Sequence, residues 1–368
     1  MKTAMLCGAC LLCFASRGAS LATAETHAVP DPVIWSTPAK HGAVIVKIED
    51  ASADATIHYT VDGTQPTASS QEYAGPFLVV SASTVKALAV ATGASASGVA
   101  SQNFEVKIPS GSLVWSDEFD VASEEKARPD PNVWTYDTGH SGFGNHELEH
   151  YCAWGSDDAP CSAADPSAFV GSDGYLHIQA RRNARGMYTS ARLKTQGLFS
   201  FQYGRFEVRA RVPEAQGLWP AAWLLGNNIT TVRWPACGEM DVLERVNAAK
   251  SPDWDEGSIH GVGFTGDTGL GTVFHFPPGQ TAAEWHTYGM IWKKGSVAYY
   301  VDDPAYPYVT YTTGNMGSLH GAVWPFDDGQ TSFILLNLAI GGDWPGSPAA
   351  DTPFPAEMQV DYVRIYSN

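Results

Sequence analysis

Three carboxylates crowd into six residues near the middle of this 368-residue chain: Glu239, Asp241 and Glu244, in the run Glu239-Met240-Asp241-Val242-Leu243-Glu244. Like charges this close raise one another's pKa, so such a row is costly unless some chemistry uses it. One chemistry that needs two carboxyl groups in different protonation states is cleavage of a glycosidic bond. The flanking Trp234, Met240, Val242 and Leu243 mark a partly buried strand rather than a solvated edge. In a regular strand Glu239 and Asp241 share a face and Glu244 falls on the other. One extra residue, bulged out at Val242 or Leu243, returns Glu244 to the first face. Glu239 and Glu244 then act as positions four apart, about 13 Å between Cα atoms at about 3.3 Å per residue. With each side chain leaning inward the carboxyls end roughly 5 to 7 Å apart. That range takes in the roughly 5–5.5 Å of retaining enzymes and touches the lower edge of inverting ones.

The elements that must hold this row are strands. Apolar runs are short and alternating, as in Gly204–Val212, Val297–Val301 and Val360–Tyr366, and long 3.6-residue periodicities are missing. Gly and Pro are frequent and dispersed. The chain is expected to be all-β, built from sandwiches. Residues 1–24 read as a secretory signal: Lys2, an apolar stretch from Ala4 to Ala15, and Ala22-Thr23-Ala24 before a cut at Glu25. The triplet Gly8-Ala9-Cys10 leaves a lipoprotein cut as the competing reading. About 340 residues remain after processing, more than one ordinary core holds, so two domains are expected. Residues 30–107 form the first, 108–112 a linker and 113–368 the second.

The formal charge is −17, and losing the two cations Lys2 and Arg17 with the signal lowers it by two, to −19. So acidic a chain is repelled by nucleic acid and anionic membranes, and neither is expected as a partner. A secreted, periplasmic or extracellular monomer is the expectation. Three cysteines, Cys7, Cys10 and Cys13, leave with the signal. Cys152 and Cys161 bracket a short polar loop and are expected to pair in an oxidising compartment. Cys237 is left as a free thiol which, by alternation, shares the face of Glu239 and Asp241.

Several segments together carry a family resemblance. The stretch from Leu113 to Asp120, Gly142-Phe143-Gly144-Asn145-His146-Glu147, Gly217–Trp223, the carboxylate run, Leu336–Trp344 and Val360–Tyr366 resemble glycoside hydrolase family 16 in family order. The resemblance implies a β-jelly roll with a cleft on its concave face. It also implies retaining double displacement: Glu239 as nucleophile, Glu244 as acid and then base, and Asp241 between them, hydrogen-bonding or sharing a proton with Glu239 and helping to hold the two ionisation states apart. It places Trp234 and Trp344 on donor-side subsites, and Asn145, Arg192, His260 and Asn337 among polar cleft positions. Sugar rings need flat aromatic platforms. Trp219 is a cleft candidate, Trp223 is undecided between cleft floor and core, and Trp115 and Trp292 read as core. No catalytic cofactor is expected. The family's structural calcium would fall to Glu118 and Asp361.

The unbulged pattern belongs to lichenase and xyloglucan branches, so Leu243 points away from those. The Trp-Pro-x-x-Gly-Glu context is similar to laminarinases, which implies an internal cut in β-1,3-glucan. Mixed-linkage glucan, agar-type galactan and non-hydrolytic glucan binding are the competing readings. Residues 57–76 resemble the small immunoglobulin-like domain at the C-terminus of chitobiase and hexosaminidase enzymes. There Tyr59 and Tyr73 are expected in core packing and the module is expected to be a spacer.

Overall fold

The computed structural model describes residues 28–120, 125–246 and 254–368. The signal reading, with Cys7, Cys10 and Cys13, lies outside them. The first module is a pair of small antiparallel sheets: 33–38, 44–49 and 77–79 in one, and 71–72, 56–60, 81–90 and 99–107 in the other. Alternating apolar residues seal its core: Val46, Ile48, Val85, Ala87, Phe104 and Val106 all point inward. Tyr59 is buried and stacks on Phe77 with centroids 5.1 Å apart, and Tyr73 meets both edge-on.

The second unit begins with the strand Leu113–Asp117 and consists of two facing sheets. The outer, eleven-stranded sheet is centred on Gly204–Arg211, flanked by Ala356–Tyr366 and His286–Lys293. Phe206, Val208 and Ala210 point to the core while Arg205 and Arg209 point out, the period-two pattern of its sequence. Trp115 and Trp292 lie in this core, as their sequence context suggested.

The inner sheet carries the carboxylate row and its strands are named here: β1 (Thr135–Asp137), β2 (Arg192–Lys194), β3 (Leu218–Gly226), β4 (Glu239–Glu244), β5 (Trp254–His260), β6 (Leu270–His275) and β7 (Ser332–Ile340). Their order across the sheet is β1-β2-β7-β3-β4-β5-β6, antiparallel throughout. All nine residues of β7 are buried, because this central strand is covered on both faces.

The two units touch closely. Leu78 N–H donates to Ser200 O (2.9 Å), Ser200 Oγ to Pro76 O (3.1 Å), Gln71 Nε2 to Asp328 O (3.2 Å) and His41 Nδ1 to Leu113 O (2.6 Å). Ala43 and Leu78 belong to the same apolar cluster as the large domain's core. Cys152 and Cys161 form the expected disulfide, with Cα atoms 5.6 Å apart.

Candidate active site

The register of β4 against β3 explains how three acids reach one face. Leu225 pairs with Glu239, Leu224 with Met240 and Trp223 with Asp241; then Ala222 pairs with Leu243 and Ala221 with Glu244, so Val242 is the extra residue. Val242 and Leu243 both turn into the core, at 1% and 0% exposure. Two consecutive inward side chains are what a bulge permits and a regular strand forbids. Glu244 therefore rejoins Glu239 and Asp241 on the face shared by Trp219, Ala221 and Trp223 of β3.

Each carboxyl has its own company. The Asp241 carboxylate accepts from Ser258 Oγ at 2.7 Å and lies 3.3 Å from His260 Nε2. Glu239 Oε1 lies 3.9 Å from the same imidazole nitrogen. Glu244 Oε1 accepts from the Trp219 indole N–H at 3.0 Å. Burial and the charge of Asp241 push the Glu239 pKa up to about 8, while His260, Arg192 and a hydrogen bond from Trp234 pull against them. Burial raises Glu244 well above the carboxylate range, followed by the charges of Asp241, Glu239 and Glu256, and Trp219 alone offsets them by a hydrogen bond. An imidazole, a guanidinium and an indole N–H thus favour the Glu239 anion, and one indole N–H favours that of Glu244. Burial lowers the His260 pKa, but Asp241, Glu239 and Glu256 outweigh it and push it up to about 9. A cation therefore stands beside the two acids that share the β5 side of the row.

The aromatic and polar candidates gather round this row. Trp234 is 48% exposed beside Glu239, and Trp344 is 43% exposed against Trp219 on the Glu244 side, edge-on at 5.4 Å. Trp223 lies on the cleft face: its N–H donates to Asn337 Oδ1 at 2.7 Å, and the Arg192 guanidinium sits 4.7 Å above its ring. Arg192 is ion-paired to Asp137 at 3.1 Å, and Asn337 is buried and donates to the Tyr151 hydroxyl. Asn145 donates to Glu147, whose other oxygen takes the Tyr151 hydroxyl. Cys237 is a buried free thiol packed with Leu225, Phe333 and Leu335, its pKa pushed up to about 12 by burial and by Glu239.

Sequence reasoning missed several members. Ser258, which bonds Asp241, carries no signal beyond its parity with His260 on β5. Trp254 packs 6.1 Å from Trp344 and extends the aromatic cluster. Asp255, fully buried, accepts the backbone N–H of Glu244 at 3.1 Å. Its signal was available: it shares the inward phase of Ile259, where an acid is out of place.

The carboxylates assigned to calcium do not fit one. Both oxygens of Glu118 are taken by Arg364, at 3.0 and 2.7 Å, and Asp361 is paired with Arg209. A guanidinium already neutralises each acid, so these side chains offer no shared oxygen cage of the kind calcium takes. Among the described residues, the one group of three or more side chains close enough to share an ion is Glu239, Asp241 and His260, within the carboxylate row itself.

The comparisons with known proteins agree with this geometry. Residues 38–101 match the family described as "Chitobiase/beta-hexosaminidase C-terminal domain", and residues 156–364 match "Glycosyl hydrolases family 16". A "Beta-glucanase" of Rhodothermus marinus is 38% identical over 270 residues, spanning 71% of this chain and 86% of the relative. The catalytic domain of an endo-1,3-beta-glucanase (laminarinase) from Thermotoga petrophila superposes with a TM-score of 0.61 at 36% identity, covering 71% of this chain and 99% of that one. The laminarinase from Rhodothermus marinus gives 0.59 at 37% identity, over 71% and 99%. The bulged row on the inner sheet lies inside a matched segment that takes in more than half of the chain, and on that ground the chain belongs to glycoside hydrolase family 16.

Proposed function

We propose that this glycoside hydrolase is a retaining endo-1,3-β-glucanase acting on laminarin-type glucan. The observation that carries the mechanism is the unequal company of the two glutamates. Glu239, its anion supported by His260, Arg192 and Trp234, attacks the anomeric carbon as that carbon's bond to the glycosidic oxygen breaks. Glu244, held protonated, passes its proton to the departing oxygen. The product is a glycosyl ester on Glu239. Glu244, now a carboxylate, takes a proton from water as the water attacks the same carbon and releases Glu239, so two inversions retain configuration. Asp241, held by Ser258 and His260, stands between them. Trp234, Trp219 and Trp344 offer ring faces to the sugars, with Asn145, Arg192 and Asn337 among the polar groups around them.

Similarity to the Rhodothermus β-glucanase and the Thermotoga laminarinase supports the substrate. The Cys152–Cys161 disulfide supports an oxidising, extracytoplasmic setting. Among the described residues no helix is long and apolar enough to cross a membrane. The first module, with both its tyrosines turned into its own packing, is a spacer rather than a glucan binder.

The test is reducing-end release from laminarin by the wild type and by Glu239→Gln. Loss of release in the variant is expected. Equal rates would refute the nucleophile, and release from agarose without release from any β-1,3-glucan would refute the substrate.

A further inference from the structure

The bulge that brings Glu244 to the cleft also strips it of a partner. The ladder between β4 and β5 runs through Glu239↔His260, Met240↔Ile259 and Asp241↔Ser258, and stops there. Glu244 lies three residues beyond, with its backbone N–H turned to the β5 side, and among the described residues no ladder carbonyl of β5 pairs with it. A buried donor left unmet costs about 1–3 kcal/mol and would let the backbone wander. Asp255, three residues back from Ser258, fills the gap with a side chain: its Oδ1 accepts from Glu244 N–H at 3.1 Å.

Asp255 is 0% exposed, as is Arg245; burial pushes the Asp255 pKa well above the carboxylate range, and the Glu244 N–H and the Arg245 charge pull against it. Arg245 directly follows Glu244, and its own N–H reaches Pro220 O on β3 at 3.5 Å. The Arg245 guanidinium also lies 3.9 Å from Glu214. The acid that holds the Glu244 backbone is therefore itself attracted by the next residue along.

We propose that Asp255 is a positioning residue for the proton donor: an oxygen of its buried carboxyl group stands where a ladder carbonyl would and fixes the Glu244 backbone after the bulge. Asp255 touches no substrate. It acts through Glu244, and the proposal rests on Glu244 being the acid and base of the reaction.

Substrates that differ in their need for that proton separate this role from general damage. Laminarin has a poor leaving group and needs the acid. A 2,4-dinitrophenyl β-laminarioside leaves without it, so its kcat/KM reports attack by Glu239 alone. Asp255→Leu keeps the branched shape, in a larger side chain, and removes the acceptor. We expect about a hundredfold fall in kcat on laminarin, the scale of a 1 Å misplacement, with KM little changed. The dinitrophenyl kcat/KM should hold, and azide, which needs no general base, should raise dinitrophenyl turnover. Asp255→Asn keeps an oxygen for the Glu244 N–H and should stay within about threefold of wild type on laminarin. Equal losses on both substrates in Asp255→Leu, or no loss on either, would overturn the proposal. A hundredfold fall in Asp255→Asn would also overturn it, and this variant decides the matter alone if Asp255→Leu does not fold. Glu244→Ala is the control for the underlying reading: if it still cleaves laminarin, Glu244 is not the acid and the proposal falls with it.

Discussion

Replacing Trp219 by Phe should move the alkaline limb of the pH–rate profile upward. The Trp219 indole N–H donates to Glu244 Oε1 at 3.0 Å, and it is the one hydrogen bond from a neighbouring side chain that opposes the upward push of burial and of three nearby acids. A hydrogen bond to a charged group is worth about 1.5–3 kcal/mol. It acts on the ionised form of Glu244, and one pKa unit is about 1.36 kcal/mol. Removing it therefore raises the proton donor's pKa by roughly 1 to 2 units. Glu244 must be protonated to start the reaction, so a higher pKa keeps the enzyme competent to higher pH. The acid limb, set by ionisation of Glu239, should stay close to its place, because Trp219 makes no bond to Glu239. The limbs belong to the coupled row rather than to single residues, which broadens them without changing the sign. The assay is kcat/KM on laminarin against pH for wild type and Trp219→Phe, since kcat/KM reports groups of the free enzyme. Any loss of sugar stacking at Trp219 lowers kcat/KM by the same factor at every pH and moves neither limb, so the limb position reads the hydrogen bond alone. An alkaline limb that stays put or moves down would refute the electrostatic argument.

Two further predictions concern stability. Cys161→Ser opens a loop closed across a separation of nine residues, and the chain-entropy relation puts the loss at about 2.6 kcal/mol; an unchanged denaturant midpoint would show the bridge to be dispensable. Gly75→Val would place a Cβ 2.7 Å from the backbone of Gly197, where the two units meet, at a φ of +149°. Overpacking of this kind costs about 1–3 kcal/mol, and a variant that unfolds at the wild-type midpoint would mean that the two units do not press together there.

Much of the site was legible in the sequence because its signals were local. The acid row, the alternation of Gly204–Val212 and the Cys152–Cys161 spacing each lie within ten residues or so, and each appears in the structure as read. The bulge was legible as a need but not as a position: Val242 and Leu243 are both apolar, and only the pairing of Leu243 with Ala222 shows that Val242 is the extra residue. Trp223 stayed undecided because cleft floor and core both want an aromatic ring; Asn337, 114 positions away, settles it by accepting its N–H. The partners of the two acids assigned to calcium were hidden for the same reason. Glu118 and Asp361 look available in sequence, whereas Arg364, 246 positions from Glu118, and Arg209, 152 from Asp361, occupy them in the fold.

The carboxylate row is thus placed by the core rather than by the acids. Val242 and Leu243 each bury an apolar side chain, worth roughly 1.5–3 kcal/mol apiece, and they can do so as neighbours only if the strand bulges. That gain on the core side opposes the cost of the ladder bonds absent beyond Asp241, and the bulge carries Glu244 to the cleft face. The same distortion leaves the Glu244 N–H facing β5 beyond the end of the ladder, so the cost of an unmet donor falls on the residue that must hold a proton at a defined point. Asp255 answers that cost from the core side, and Trp219 fixes the other end of the side chain from the cleft side. Placement of Glu244 is therefore set from both faces of the sheet. A substitution at Val242, Leu243 or Asp255, none of which lines the cleft, should disturb proton transfer before it disturbs sugar binding.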